Sequence, residues 1–125
     1  MAEKQNGEFC WNELATANVK AAKDFYSKVF GWTYREHEMP DTTYTVIELN
    51  GKDIGGIWAI PKEKQSKLQP HWVTYILVKD LDAALKKAHE NGAKIVKPLT
   101  KSGDLGLFGI IEDPTGAHIA FWEPF

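Results

Sequence analysis

Cysteine is nearly absent from this chain. Cys10 is the one thiol among 125 residues, so no disulfide can close within the chain, and a reducing compartment, the cytoplasm, is the expected home. Long apolar runs are missing as well. No stretch approaches the ~20 residues that a membrane-crossing helix needs, and the opening MAEKQNGE has no apolar segment of the kind a secretory leader carries. Charge of one sign is lacking too: 15 Lys and Arg face 17 Asp and Glu, for a net charge of -2. The basic residues are scattered, which argues against nucleic acid or a membrane as partner. There is no P-loop, no dinucleotide fingerprint, no nucleophile elbow and no zinc-type cysteine spacing. Gly103 to Gly109 is glycine-spaced but leads into a strand rather than opening a helix, so it reads as a loop and not as a phosphate cradle.

What the chain does hold is aromatic residues, five Trp, six Phe and four Tyr, and an internal repeat. Trp11 to Trp32 and His71 to Val96 share one plan: a short apolar strand, a polar helix cap, an amphipathic helix and a glycine stop. In the first copy Asn18 is suited to cap the helix. Val19, Ala22, Phe25, Tyr26, Val29 and Phe30 then fall at steps of three and four, one helical face, and Gly31 ends it. In the second copy Asp80 is the cap, Leu81, Ala84, Leu85 and Ala88 form the stripe, and Asn91-Gly92 is the stop. Asp82 in the first turn and Lys86, Lys87 and His89 near the last suit the helix dipole.

Strands are expected at Glu8 to Ala15, Trp32 to Glu38, Tyr44 to Leu49 and Ile54 to Ile60 in the first half, with a break at Met39 to Asp41. Asn50-Gly51 marks a hairpin between the last two strands. Residues 61–70, charged and bounded by Pro61 and Pro70, read as a linker. The second half repeats the order with strands at His71 to Val78, Ala93 to Lys97 (ended by Pro98), Leu107 to Glu112 and Ala117 to Trp122. Thr100 to Asp104 reads as loop, and Asp113-Pro114-Thr115-Gly116 as a tight turn. The expected architecture is α+β within one domain over residues 1–125: two tandem βαβββ modules, about residues 8–60 and 71–123, forming a curved mixed sheet around a cleft. The cleft is the expected site.

This plan resembles the glyoxalase, bleomycin-resistance and extradiol-dioxygenase superfamily, the vicinal oxygen chelate fold. The residues that carry the resemblance are Asn18-x6-Phe25-Tyr26-x3-Phe30-Gly31-Trp32, Val78-x-Asp80-Leu81-Asp82-Ala83 and Asp113-Pro114-x-Gly116-Ala117. It runs from about Phe9 to Trp122. Trp-Asn-Glu-Leu in the first strand and Gly55-Gly56 in the fourth resemble one branch in particular. The resemblance implies a divalent metal held by His, Glu or Gln from the first, fourth, fifth and eighth strands. Here the first-strand position is Trp11, the fifth-strand position Val73 and the eighth-strand position Ala120, and Ile54 to Ile60 offers no acid, amide or histidine. None of these can bind a hard or borderline cation. The expectation is therefore a protein without metal or other cofactor.

Glu13 shares a strand face with Trp11. Buried beside aromatic walls it would serve as a general acid or base; otherwise it makes a fixed structural contact. His71 and His118 align with the cleft-facing positions of their strands, and with Glu13 they form a conceivable shifted metal site; as single histidines at strand starts they need do nothing. His37 and His89 read as exposed. Trp11, Trp58, Tyr75 and Trp122 suggest a stacking site for a flat or apolar ligand, or else core filling. Parity on the fourth strand leaves Trp58 free to point either way. The reading that follows is a metal-independent small-molecule-binding protein of the bleomycin-resistance type, with Trp11, Trp58, His71, Val73, Tyr75, His118, Ala120 and Trp122 as ligand-binding residues. The alternative is a lyase resembling glyoxalase I, or lactoylglutathione lyase, acting on a thiol adduct of a ketoaldehyde with Glu13 as catalytic base. The resemblance also implies a homodimer.

Overall fold

The structure is a computed structural model that describes residues 4–40 and 42–125. Residues 1–3 of the polar leader, and Asp41 at the end of the expected break, lie outside the described residues. The elements run β1 (Phe9–Thr16), α1 (Val19–Phe30), β2 (Thr33–Glu38), β3 (Thr43–Leu49), β4 (Lys52–Ala59), β5 (His71–Leu77), α2 (Leu81–Glu90), β6 (Lys94–Ser102), β7 (Gly106–Glu112) and β8 (His118–Pro124). The βαβββ order thus occurs twice. A single 3-10 turn at Lys62–Lys64 occupies the linker. The chain divides into two compact units, one spanning Trp11–Val73 and the other Thr74–Phe125 with the leading residues up to Cys10.

In the first unit the strand order is β2-β3-β4-β1. β1 and β4 are parallel, and the other neighbours are antiparallel. The β3–β4 hairpin turns on Asn50 (φ 51) and Gly51 (φ 80), the paired positive torsions that a two-residue turn of this hand demands. Asn18 caps α1 by accepting from the Ala21 amide at 3.0 Å, and Gly31 (φ 75) closes it with its N–H on Ser27 O. Leu14, Ile47 and Ile57 are the buried core, and Val19, Ala22 and Tyr26 of α1 pack on them. Yet no residue of α1 is fully buried. Phe25, Val29 and Phe30 keep 58%, 53% and 57% exposure. The helix is held largely by rings: Tyr26 stacks on Trp32 at 5.1 Å and meets the edge of Trp72 at 5.7 Å.

The second unit orders its strands β5-β8-β7-β6, with β5 and β8 parallel. Its helix sits more deeply. Leu81 and Leu85 are buried with Val78, Ala93 and Ile111. The first turn of α2 is closed twice, by Asp80 Oδ1 accepting from Ala83 N–H at 3.1 Å and by Glu123 Oε1 accepting from Leu81 N–H at 2.7 Å. The expected turn forms at Asp113: its carboxylate accepts from the Thr115 hydroxyl and from the Thr115 and Ala117 amides. These donors hold its carboxyl below the usual carboxylate range.

The expected end of β6 fails. β6 does not stop at Pro98 but runs through it to Ser102, taking in part of the segment read as loop. β6 pairs with β7 alone, as an edge strand, and its register shifts between Ile95 and Lys97 and again between Lys97 and Thr100. An edge strand with bulges can absorb a residue that has no N–H to give.

Candidate functional site on the open sheet faces

Alternation along each strand decides which side chains leave the helix side. In the first unit Leu14, Ile47 and Ile57 point at α1, so Glu13 and Ala15 of β1, Tyr44 and Val46 of β3, and Gly56 and Trp58 of β4 lie on the opposite face. Glu13 is directly beside Gly56, and Ala15 beside Trp58. Trp11 shares the face of Glu13, which settles Trp58 and Trp11 on one side of the sheet. On β5, Trp72 packs on the α1 rings, so His71 and Val73 point away from that helix. Val73 is half-buried and His71 exposed, with its Nδ1 2.6 Å from Gln69 O.

A hydrogen-bond chain crosses the face. The Trp11 indole N–H donates to the Tyr44 oxygen at 3.0 Å, and the Tyr44 hydroxyl donates in turn to the Glu13 carboxylate. Burial first, and then the negative charge of Glu13, push the Tyr44 phenol far above its ordinary range, against the opposing effect of the Trp11 N–H. Tyr44 therefore stays a neutral donor. Its ring lies over Gly56: a Cβ there would fall inside the phenol, with Tyr44 Cε2 at 2.6 Å. His37, across from Tyr44 on β2, is not the exposed residue the sequence suggests; it is half-buried, and its Nε2 is fully so. Farther along β4, Trp58 helps line a cavity of about 430 Å³ together with Thr42, Ala59, Ile60, Pro61 and Glu63.

The second unit repeats the device. Ile119 and Phe121 pack towards α2, so His118, Ala120 and Trp122 face the other way. Ala120 has 0% exposure and lies beside the buried Tyr75. A glycine again makes room for a ring: a Cβ on Gly106 would stand 2.8 Å from the Trp122 indole. His118 is exposed at the start of β8, with its Nε2 3.5 Å from Glu112 Oε1.

Tyr44, Gly56 and His37 are the residues that sequence reasoning missed. The strand alternation of Tyr44 to Leu49 contains the signal for Tyr44, since it opposes Ile47, but its link to Glu13 depends on the absence of a side chain at Gly56, on the strand between them.

The model of the Glyoxalase/Bleomycin resistance protein/Dioxygenase superfamily matches residues 10–121. The chain belongs to that superfamily. Among curated proteins it is 35% identical over 124 residues to "Putative glyoxylase CFP32" of Mycobacterium bovis, covering 98% of this chain and 48% of that protein. It is 27% identical over 129 residues to "Anthracycline biosynthesis protein DauV" of Streptomyces sp. (strain C5), covering 94% of this chain and 47% of that one. The chain thus spans about half the length of these relatives. Among solved structures it is similar to a methylmalonyl-CoA epimerase from Mycobacterium tuberculosis, with a TM-score of 0.68, 17% identity, and coverage of 100% of this chain and 93% of that one. This superfamily member has the α+β fold of two βαβββ modules.

The family's metal does not fit the residues present. An indole, an isopropyl group and a methyl group stand at Trp11, Val73 and Ala120, none of them a cation ligand. β4 begins earlier than the sequence suggests and so includes one acid, Asp53. That carboxylate is committed to Arg35 at 2.7 Å. Among the described residues, no group of three His, Cys, Asp or Glu side chains is placed to hold a metal ion. His71 and His118, considered with Glu13 as a shifted set, each sit in the local contacts given above. No helix among the described residues is long and apolar enough to cross a membrane.

Proposed function

We propose that this protein binds a flat or apolar small molecule on its aromatic sheet face and does so without a metal ion. The observation that carries the reading is the side chain at the first-strand ligand position. Trp11 offers a stacking surface, and its only polar atom is already given to Tyr44. Trp58 adds a second indole on the same face, beside a cavity in the size range of small-molecule pockets. A relative named for anthracycline biosynthesis supports a small-molecule ligand.

The test is titration of the full chain with 9-anthracenemethanol, followed by fluorescence anisotropy of the anthracene, before and after dialysis against a chelator. The expected result is saturable binding at micromolar concentration, with the same affinity in both samples. Stoichiometric uptake of nickel, zinc or manganese by the chelated protein, restoring a lost affinity, would overturn it.

The hydrogen bond from Tyr44 to Glu13 favours one second reading, a lyase resembling glyoxalase I that acts on a thiol adduct of a ketoaldehyde. Glu13 would accept the substrate proton while Tyr44 holds the carboxylate in place. Turnover of the hemithioacetal of glutathione and methylglyoxal should then fall at least about a hundredfold in Glu13→Gln, the scale of a lost general base. Full turnover in that variant removes the reading.

A further inference from the structure

The dipeptide Asn-Gly occurs at Asn6-Gly7, Asn50-Gly51 and Asn91-Gly92. In such a pair the glycine nitrogen can attack the asparagine side-chain carbonyl and close a five-membered succinimide, because glycine puts no side chain in the way. Two groups must be free for this: the glycine nitrogen as nucleophile, and the asparagine amide as a side chain able to swing over it. At two of the sites both groups are held. Asn6 Oδ1 accepts from the Lys79 amide at 2.8 Å, and the Gly7 N–H donates to Leu77 O at 2.8 Å. Asn91 Nδ2 donates to Lys87 O at 2.8 Å, and the Gly92 N–H donates to His89 O at 3.1 Å. Asn50-Gly51 has neither bond among the described residues. Both residues are exposed at the tip of the β3–β4 hairpin, between the paired Leu49 and Lys52.

We propose that Asn50 is a site of self-modification, deamidated selectively in the folded protein. The Gly51 nitrogen bonds to Asn50 Cγ, the Cγ–Nδ2 bond breaks, and ammonia leaves with the proton of the Gly51 nitrogen. Water then opens the imide, and neither step is a redox change. Hydrolysis at Cγ restores the ordinary main chain and leaves an aspartate. Hydrolysis at the main-chain carbonyl carbon leaves Gly51 attached through the former side chain, an isoaspartate. The two products carry the same new negative charge but act differently on the fold. Aspartate tolerates the left-handed torsion that Asn50 holds, φ 51. Isoaspartate adds a carbon to the main chain of a two-residue turn whose torsions match the twist of its strands. Those strands carry Tyr44 and Gly56.

The test holds the full chain folded in mildly alkaline buffer, samples it over time, and reads tryptic peptides by mass spectrometry with fragmentation. The three sites fall in separate peptides, 5–20, 36–52 and 88–94. Asn50 is expected to convert at least about fivefold faster than Asn6 or Asn91, the factor for breaking even a modest hydrogen bond or two before reaction. In guanidinium, where those bonds are gone, the three rates should come within about threefold of one another. The isoaspartate fraction, resolved by ion exchange, should unfold at a lower urea concentration than fresh protein, while Asn50→Asp should unfold with the parent. Equal conversion of the three sites in the folded chain overturns the proposal. So does an Asn50 that stays intact while the unfolded chain reacts. An isoaspartate fraction as stable as the parent overturns the effect assigned to the turn.

Discussion

Gly56→Ala is expected to lower the unfolding free energy by about 3 kcal/mol, the sum of an overpacked contact and of hydrogen-bonding groups left without partners. The backbone does not impose this cost, because Gly56 is not among the glycines with positive φ. The cost comes from the Tyr44 ring, which occupies the space a methyl group would need. Pushed out, Tyr44 leaves the Trp11 N–H and the Glu13 carboxylate to find other partners or water. A double-mutant cycle isolates the cause: in a Tyr44→Ala background the same alanine should cost less than about 1 kcal/mol, because the two side chains compete for one volume. Urea unfolding read by tryptophan fluorescence supplies the numbers.

The same substitution should change the response to alkali. In the folded protein Tyr44 holds its proton more tightly than an unfolded tyrosine does. That contribution to stability is whole below the unfolded value of about 10 and is lost as pH rises beyond it. Gly56→Ala should therefore flatten the fall in stability above that pH. In ultraviolet titration it should add one tyrosine that ionises in the ordinary range. A variant as stable as the parent, with its titration unchanged, would show that Tyr44 does not depend on the empty position.

Leu81→Ala should cost more, about 3–4 kcal/mol, the range for a leucine whose cavity cannot collapse. Leu81 has 0% exposure and packs between the first turn of α2 and the sheet strands beneath it. The Asp80 and Glu123 carboxylates accept from two backbone N–H groups of that turn, those of Ala83 and Leu81, so the turn has little freedom to move into the vacated space. The contrast is Phe25→Ala on α1. Phe25 is the larger side chain, but it is 58% exposed and should cost less than about 1 kcal/mol. Chemical denaturation of the two variants side by side reads the difference, and an equal loss for both would contradict it.

Local chemistry explains why so much of the fold could be read from the chain. Asn18, Gly31, Asp80 and Asn50-Gly51 act within four residues of themselves, and each does in the structure what its side chain or torsion permits. Alternation was equally informative once a single core residue per strand was known, since Leu14 and Ile119 fix the direction of Trp11 and Ala120. Pro98 misled because its effect depends on which strand has a free edge, a property of the whole sheet and not of the tripeptide around it. Glu13 was legible as a candidate, but its partner was not. Tyr44 is 31 positions away, and it reaches Glu13 only because β4, lying between their strands, carries no side chain at Gly56 and is bulged near Ile54. His37 was misplaced for a related reason: its partner across the ladder is that same tyrosine.

The two helices are unequal anchors. α2 drives leucines into its sheet, whereas α1 rests on a raft of half-wet rings and buries nothing completely. The geometry of Trp11, Tyr44 and Glu13 must then be kept from the other side, by backbone closeness within the sheet itself. At Gly55 the strand comes so near to β1 that an added carbon would stand 2.6 Å from Asn12 O. What holds Trp11, Tyr44 and Glu13 in register is therefore the contact of backbone with backbone between β1 and β4, and the burial of the helix contributes little to it.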